Sequence, residues 1–258
     1  MLVNAIFFSV LASLFLGMVG AQVLGHHLGA RRAARYPDDH TEGTAAVEAT
    51  LFALLGLLVA FTFSGANDRL DARRKLIVEE ANAIGTAYLR LDLVPEAAQP
   101  LLRDEFRRYV DARMAFYRKL LDFRAASAEP RRATDLQDQI WKDALAAAGE
   151  TGDARATLLL APAINAMIDV TTARDAALLT HVPFAIFFLL GALSLACAFF
   201  AGLGMSKNKR PSRLHMFMFA SIMAVTAYVI LNLEFPRAGF VRLGPIDALL
   251  AQVRASMG

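Results

Sequence analysis

The sequence predicts an all-α membrane protein with four transmembrane helices and a helical extramembrane domain between the second and the third. Three observations predict this class: an apolar composition, four long and nearly uncharged segments, and helical patterning in the polar region between them. Of the 258 residues, 56% are hydrophobic and 20% are charged, which is too apolar a balance for an ordinary soluble domain. The excess of apolar residues therefore predicts membrane spans.

The four apolar segments are each long enough to cross a bilayer. A helix needs about 20 apolar residues to cross a hydrocarbon core of roughly 30 Å. The segments are residues 3–24, 45–63, 182–203 and 214–233. The first is longer than the apolar part of a typical secretory signal and has no positive charge before it, so we expect a retained helix.

The spans divide the chain into four parts. These are residues 1–65 with the first two spans and their short loop, 66–181 with the extramembrane domain, 182–235 with the third and fourth spans, and 236–258 as a C-terminal tail. Basic residues such as Arg31 and Lys207 mark the two short loops, which the positive-inside rule would place in the cytoplasm. Others, such as Arg73 and Arg242, follow the second and fourth spans, so charge leaves the orientation open.

The extramembrane region is predicted to be a series of helices. Helical patterns cover residues 68–93 and 100–126, and Pro130 ends the second of them. Thr134 and Gln137 have the spacing of a capping box, which predicts that the next helix begins there. A further helical stretch follows Gly152, and no alternating strand pattern is present.

An apolar stripe continues from the second span into the helix that follows it. It consists of residues at sevenfold spacing: Phe63, Leu70, Ile77, Ile84 and Leu91. Because the spacing has no phase break, it predicts one helix over residues 45–92, roughly 70 Å long at ~1.5 Å per residue. The stripe is predicted either to pack within the subunit or to form an inter-subunit contact around a symmetry axis.

The first span carries a second contact pattern. Small residues recur at every fourth position: Gly17, Ala21, Gly25 and Gly29. This spacing lets helix backbones approach closely in a membrane, so it predicts a helix–helix contact without identifying the partner.

The sequence has no signature of an enzyme, a cofactor or a metal centre. It lacks the nucleophile elbow, the phosphate-binding loops and the zinc-protease motif, and Cys197 is its only cysteine. Four histidines belong to the short-loop side and could together hold a metal ion: His26, His27, His40 and His215. The favoured interpretation is that they are interfacial or solvated. We predict no catalytic residues, no cofactor and no metal.

Charged and polar residues lie beside the spans rather than within them. The net charge of +3 fits basic residues flanking the membrane, and no aromatic–basic motif is present, so we expect no nucleic-acid partner. Polar residues near span ends, including Asn232 and Glu234, are expected to contact headgroups.

Two segments resemble the hallmark segments of a bacterial family of bestrophin-like membrane proteins. They are residues 54–95, LLGLLVAFTFSGANDRLDARRKLIVEEANAIGTAYLRLDLVP, and residues 233–243, LEFPRAGFVRL. Together with the four-span layout, the resemblance covers nearly the whole chain. It implies a bestrophin-like fold and a multi-pass protein of the bacterial inner membrane.

The family is more distantly similar to true bestrophins, which are pentameric anion channels whose second helix lines the pore. In those channels an arginine follows a pore aromatic residue by eight positions, and Phe61 and Arg69 keep that interval. The resemblance therefore implies that Ala53, Leu57 and Phe61, at four-residue spacing, line a pore. The acidic calcium clasp of bestrophins has no counterpart in this sequence, and the resemblance would place the long domain in the cytosol, opposite to the charge of the short loops.

Two functions are open at this point. The first is a homo-oligomeric ion channel in the lipid bilayer, with a pentamer and conduction of chloride or other small inorganic ions implied by the resemblance. The second is a non-conducting, membrane-anchored scaffold or sensor, which is indicated by the absence of charge within the spans.

Overall fold

The computed structural model describes residues 2–36, 44–119, 129–152, 154–207, 212–236 and 244–258. These residues form α-helices joined by turns, and none of them lies in a strand. The helices are α1 (Leu2–Arg35), α2 (Thr44–Leu89), α3 (Gln99–Lys119), α4 (Glu129–Glu150), α5 (Ala154–Leu179), α6 (Phe184–Gly204), α7 (Arg213–Glu234) and α8 (Gly244–Ser256). Short 3-10 turns follow α2 at Arg90–Leu93 and α6 at Met205–Lys207.

Four helices in the described part of the chain are long and apolar enough to cross a membrane. The first, third and fourth predicted spans lie in α1, α6 and α7, and the second lies in the N-terminal half of α2. Large apolar side chains on these helices remain exposed, for example Phe8, Phe188 and Phe217, as expected where lipid replaces water as the solvent. The predicted all-α class with four spans is confirmed.

Helix α2 is unbroken through the predicted end of its span. It runs from Thr44 to Leu89 and passes Ser64 without interruption, and the Arg90–Leu93 turn follows directly. The sequence explains this continuity, because no proline occurs between Thr44 and Val94 to remove a helical hydrogen bond. The prediction of one helix over residues 45–92 is therefore confirmed, apart from the tighter winding of the last turn.

The chain divides into two compact units. Unit 1 consists of Met1–Leu70 and His181–Val241, and unit 2 of Asp71–Thr180 and Arg242–Gly258. The region predicted as a separate tail contains α8, whose Leu250 is buried in the core of unit 2. The backbone oxygen of Met257 also accepts hydrogen bonds there, from Tyr88 at 2.9 Å and Arg107 at 3.0 Å. The tail is thus corrected to a helical part of unit 2.

Within unit 1, α1 packs most closely on α6. A Cβ atom on Gly25 would lie 2.1 Å from the backbone oxygen of Phe199, and one on Gly202 would lie 2.1 Å from that of Gln22. Only glycine allows backbones to approach so closely. The small-residue pattern of the first span therefore serves a contact within the chain.

The heptad stripe is mostly buried by the chain itself. Leu70 and Ile77 are 1% exposed, and Ile84 and Leu91 are 0% exposed, whereas Phe63 is 45% exposed. A side chain with no free surface has none left for a neighbouring subunit. The structure thus favours the intrasubunit alternative for the last four residues and corrects their assignment to an inter-subunit contact, while Phe63 stays a candidate.

Unit 2 is held together by a buried ionic network in addition to its apolar core. Arg113 is 1% exposed, and its Nε donates to Glu80 Oε1 at 2.7 Å. Arg174 pairs with the other oxygen of Glu80, and Asp175 accepts from Arg113 Nη2 at 3.1 Å. Burial acts to lower the pKa of Arg113, but the Glu80 carboxylate, together with Tyr117, Tyr109 and Asp175, raises that pKa above its usual value. Two guanidinium groups sharing one carboxylate satisfy charges that would otherwise be costly to bury.

Helix α4 begins earlier than predicted. It starts at Glu129, so Pro130 lies in its first turn and Thr134 lies inside the helix. The Gln137 side chain donates to the Tyr109 hydroxyl at 3.1 Å. The predicted capping box is wrong, because proline is well suited to a first helical turn and here opens the helix.

Candidate functional site

The predicted pore-lining residues share one exposed face of α2 in unit 1. Ala53 is exposed, Leu57 is 52% exposed and Phe61 is 67% exposed. At about 100° per residue, these positions lie roughly opposite Leu55, which is 3% exposed and packs near Leu193 and Cys197. The structure therefore brings the three candidates together on a face that none of the described helices of unit 1 covers.

This face differs in composition from the exposed faces of α6 and α7. Its first half carries small side chains, the exposed residues Ala46, Ala49, Thr50 and Ala53. Large apolar residues follow at Leu57 and Phe61. The exposed faces of the other two helices carry mostly bulky residues, although α6 also exposes Ala185 and Ala192. The bulky residues are Phe184, Phe188, Leu189, Phe217, Met218, Ile222 and Val225. Small residues allow helices to approach an axis closely, whereas bulky ones suit contact with lipid.

Arg69, the basic residue of the predicted interval, belongs to a different surface. Its Nε donates to Glu234 Oε2 at 3.0 Å, and the Glu234 side chain is wholly buried. Asp68 is the exposed residue at this level, and it follows Phe61 by seven positions, on the same face. The interval of eight residues is present, but its arginine pairs within unit 1 and is not on the exposed face.

Glu234 is the centre of a polar cluster where the spans end. The backbone N–H of Val182 donates to Glu234 Oε1 at 3.0 Å, and Nδ1 of His181 lies 3.2 Å from the same oxygen. The His181 ring stacks on Phe235 with centroids 4.7 Å apart. The expectation of a headgroup contact for Glu234 is wrong, because the protein itself supplies its partners. The sequence signal that could have identified Glu234 is its position beside Phe235 in residues 233–243, one of the two segments on which the family resemblance is based.

The histidines show no sign of a shared site among the described residues. No group of three or more histidine, cysteine, aspartate or glutamate side chains there is placed to hold a metal ion. His26 and His27 are neighbours on α1, with ring centroids 6.1 Å apart. His215 interacts with Ser212 at 2.6 Å, and His40 lies outside the described residues.

Unit 2 contains a buried acid that sequence reasoning missed. The Glu105 side chain is 0% exposed, and neither of its oxygens has a hydrogen-bond donor in the described part of the chain. Burial, then the neighbouring Asp143, raises the pKa of Glu105 to about 7, with Arg108 opposing and Asp104 adding to the rise. Removal from water favours the neutral form of a carboxyl group, so the Glu105 carboxyl takes up and loses its proton near neutral pH.

The chain matches a family model over almost all of its length. The model describes a Bestrophin-like domain and matches residues 5–247. No curated protein sequence matches the chain closely enough to count as a relative.

Solved structures of a bacterial bestrophin homolog from Klebsiella pneumoniae share the fold. A leucine-to-threonine variant of it is 16% identical with a TM-score of 0.68, covering 94% of this chain and 97% of that chain. A tyrosine-to-alanine variant is 17% identical with a TM-score of 0.66, covering 93% and 96%. A tryptophan-to-alanine variant is 17% identical with a TM-score of 0.64, covering 96% of each chain. At such low identity, these likenesses show the fold alone.

Proposed function

Because the chain belongs to the bestrophin-like family, we propose that it forms a homo-oligomeric ion channel in the bacterial inner membrane, with α2 lining a central pore. By analogy with bestrophins, the proposed assembly is a pentamer and the proposed permeant ions are anions such as chloride. The protein has no enzymatic activity in this proposal.

The observation that carries the proposal is the exposed face of α2. Ala53, Leu57 and Phe61 point away from the core of unit 1, and the small residues before them leave room for copies of the helix around an axis. Leu57 and Phe61 would then form an apolar constriction. Such a constriction can gate ion flow by excluding water from the narrowest part of the pore.

Selectivity for anions does not follow from Arg69. Its ion pair with Glu234 leaves it little free positive charge for the pore, and the exposed Asp68 would favour cations at that level. The proposed anion selectivity depends on the family analogy. An apolar neck would add to selectivity, because an ion that loses its water shell more easily passes such a constriction more readily.

Recordings from purified protein in planar bilayers test the channel. We expect ion currents from the wild type, and the reversal potential under a chloride gradient identifies the charge of the permeant ion. Phe61→Ala should raise the conductance or the open probability, because a smaller side chain weakens the dewetted constriction. Leu57→Ala should act in the same direction.

Phe188→Ala on α6 is the matched control. Phe188 is 69% exposed and Phe61 is 67% exposed, but Phe188 belongs to a face suited to lipid, so its replacement should leave the currents unchanged. Silence of the wild type and of both α2 variants, across both polarities and several salts, would contradict conduction. It would favour the second candidate, a membrane-anchored scaffold or sensor.

A further inference from the structure

A cleft among the spans of unit 1 is not used by the proposed pore. It has a volume of about 410 Å³ and is lined by residues of α1, α2, α6 and α7, including Phe7, Val59, Gly191 and Ala227. Nearly all of the surface that lines it is apolar. It therefore offers a binding site for an apolar ligand.

The hydroxyl groups that line the cleft are already bonded within their own helices. Ser194 Oγ donates to the backbone oxygen of Leu190 at 2.7 Å, and Thr226 Oγ1 donates to that of Ile222 at 2.9 Å. A polar ligand would find few hydrogen-bond partners there. Water is also a poor occupant, because apolar cavities stay dry.

The cleft extends over about half the thickness of a membrane. At one end it is lined by Val182 and Phe235, where the spans end, and at the other by Ser194 and Met223. Ten or eleven helical residues separate these ends along α6 and α7, which corresponds to roughly 15–17 Å at ~1.5 Å per residue, or about one leaflet of a hydrocarbon core of about 30 Å.

The volume suits a single hydrocarbon chain. If a methylene group takes up about as much room as a water molecule in the liquid, ~30 Å³, the cleft accepts about a dozen carbons. Gly191 contributes to this space, because a Cβ atom built on it meets no atom within 4 Å. Burial of each methylene group of such a chain is favourable.

From the depth, the volume and the satisfied polar groups, we infer that the cleft binds one acyl chain of a membrane phospholipid. The headgroup lies at the membrane surface near Val182 and Phe235. These two residues adjoin His181 and Glu234 in the chain, so the bound lipid lies beside the polar cluster that pairs with Arg69. The bilayer supplies this ligand at high concentration.

Native mass spectrometry of the protein released from a mild detergent tests the inference. We expect an adduct with the mass of a phospholipid on each wild-type chain. Gly191→Leu and Ala227→Leu fill the cleft from α6 and α7 and should each lower the lipid occupancy about tenfold. Two variants on different helices are used, and circular dichroism checks that each folds.

Gly20→Leu is the control. Gly20 is exposed on α1, and its added Cβ meets no atom within 4 Å, so the adduct should persist. Equal phospholipid occupancy in folded Gly191→Leu, folded Ala227→Leu and the wild type would overturn the inference, as would adducts of detergent or free fatty acid mass alone. Loss of the oligomer in both cleft variants, with lipid-free wild type, would identify a neighbouring subunit as the occupant and would also overturn it. Bilayer currents test the pore separately, since this experiment does not depend on conduction.

Discussion

Arg69 and Glu234 form an ion pair with 3.0 Å between Nε and Oε2, although 165 positions separate them in the chain. The Glu234 side chain is 0% exposed and that of Arg69 is 27% exposed. Arg69→Ala leaves the buried carboxylate without its cation, so we expect the free energy of unfolding to fall by about 2–3 kcal/mol, somewhat less than for a fully buried pair. Denaturation in detergent, followed by circular dichroism, measures this loss.

The Arg74 pair provides the comparison for that measurement. Arg74 Nη1 lies 3.1 Å from Asp71, and both side chains are substantially exposed, at 40% and 48%. Arg74→Ala should cost at most about 1 kcal/mol, because exposed pairs contribute little. Equal losses for the two arginine variants would show that burial of Glu234 does not increase the contribution of its ion pair to the free energy of unfolding.

Cysteine labelling distinguishes a water-filled path from a lipid-facing surface. Leu57 is 52% exposed and Leu55 is 3% exposed on the same helix. We expect a charged thiol reagent to modify Leu57→Cys in lipid vesicles at least about tenfold faster than Leu55→Cys, because the reactive thiolate needs access to water. Native Cys197 is buried and gives a low background.

Leu189→Cys completes the labelling experiment. Leu189 is 51% exposed, close to the value for Leu57, but it lies on the bulky face of α6. If α2 lines a pore, the thiol at position 57 reacts and the one at position 189 does not. Similar slow labelling at both positions would place the α2 face in lipid.

The close approach of α1 and α6 predicts a sharp difference between two glycines of the first span. An alanine at Gly25 would bring its Cβ to 2.1 Å from the Phe199 backbone oxygen, whereas Gly20 has open space. Gly25→Ala should lower the free energy of unfolding by about 1–3 kcal/mol, because α1 and α6 must move apart to make room for the added methyl group. Gly20→Ala should be neutral or stabilising by up to ~1 kcal/mol, since alanine favours the helix. Comparable unfolding midpoints for the two variants would contradict the described contact.

The raised pKa of Glu105 predicts that unit 2 loses stability as the pH rises. The folded protein holds this proton more tightly than the unfolded chain, because the pKa rises from 4.5 to about 7. The free energy of unfolding should therefore fall between about pH 4.5 and 7, by on the order of 3 kcal/mol, and this fall should be absent in Glu105→Gln. Fluorescence of Trp141, the one tryptophan of the sequence, reports the transition because it packs against the unit 2 core.

Glu79→Gln is the control for the pH experiment. Glu79 is exposed on α2, so its replacement should preserve the wild-type pH dependence. A slope in Glu105→Gln as steep as in the wild type would assign the effect to another group.

The fold was predictable from the sequence where one physical requirement dominates. A bilayer demands long apolar helices, so the four spans were predicted correctly from composition and length. The continuity of α2 followed from an unbroken heptad and the absence of proline. The partner of each contact was not predictable, because periodicity identifies an apolar face without identifying what covers it, as the burial of Ile77 and Ile84 within the chain shows.

The polar groups of the site were the least predictable part. From its position near a span end, Glu234 could contact either lipid headgroups or another part of the protein. Only the fold shows that Arg69 and His181 lie beside it. Glu105 had no sequence signal at all, because its neighbour Asp143 lies on another helix. Local patterns such as Pro130 are ambiguous for a related reason, since the same residue can end one helix or begin the next.

Helix α8 has a consequence for how the chain is made. Its residues 244–256 follow both later spans in the chain, yet Leu250 completes the unit 2 core. During synthesis, that core therefore stays incomplete until α6 and α7 have emerged from the ribosome and entered the membrane, because α8 is made after them. A chaperone that shields apolar surface would have its longest opportunity to act on unit 2 during this interval.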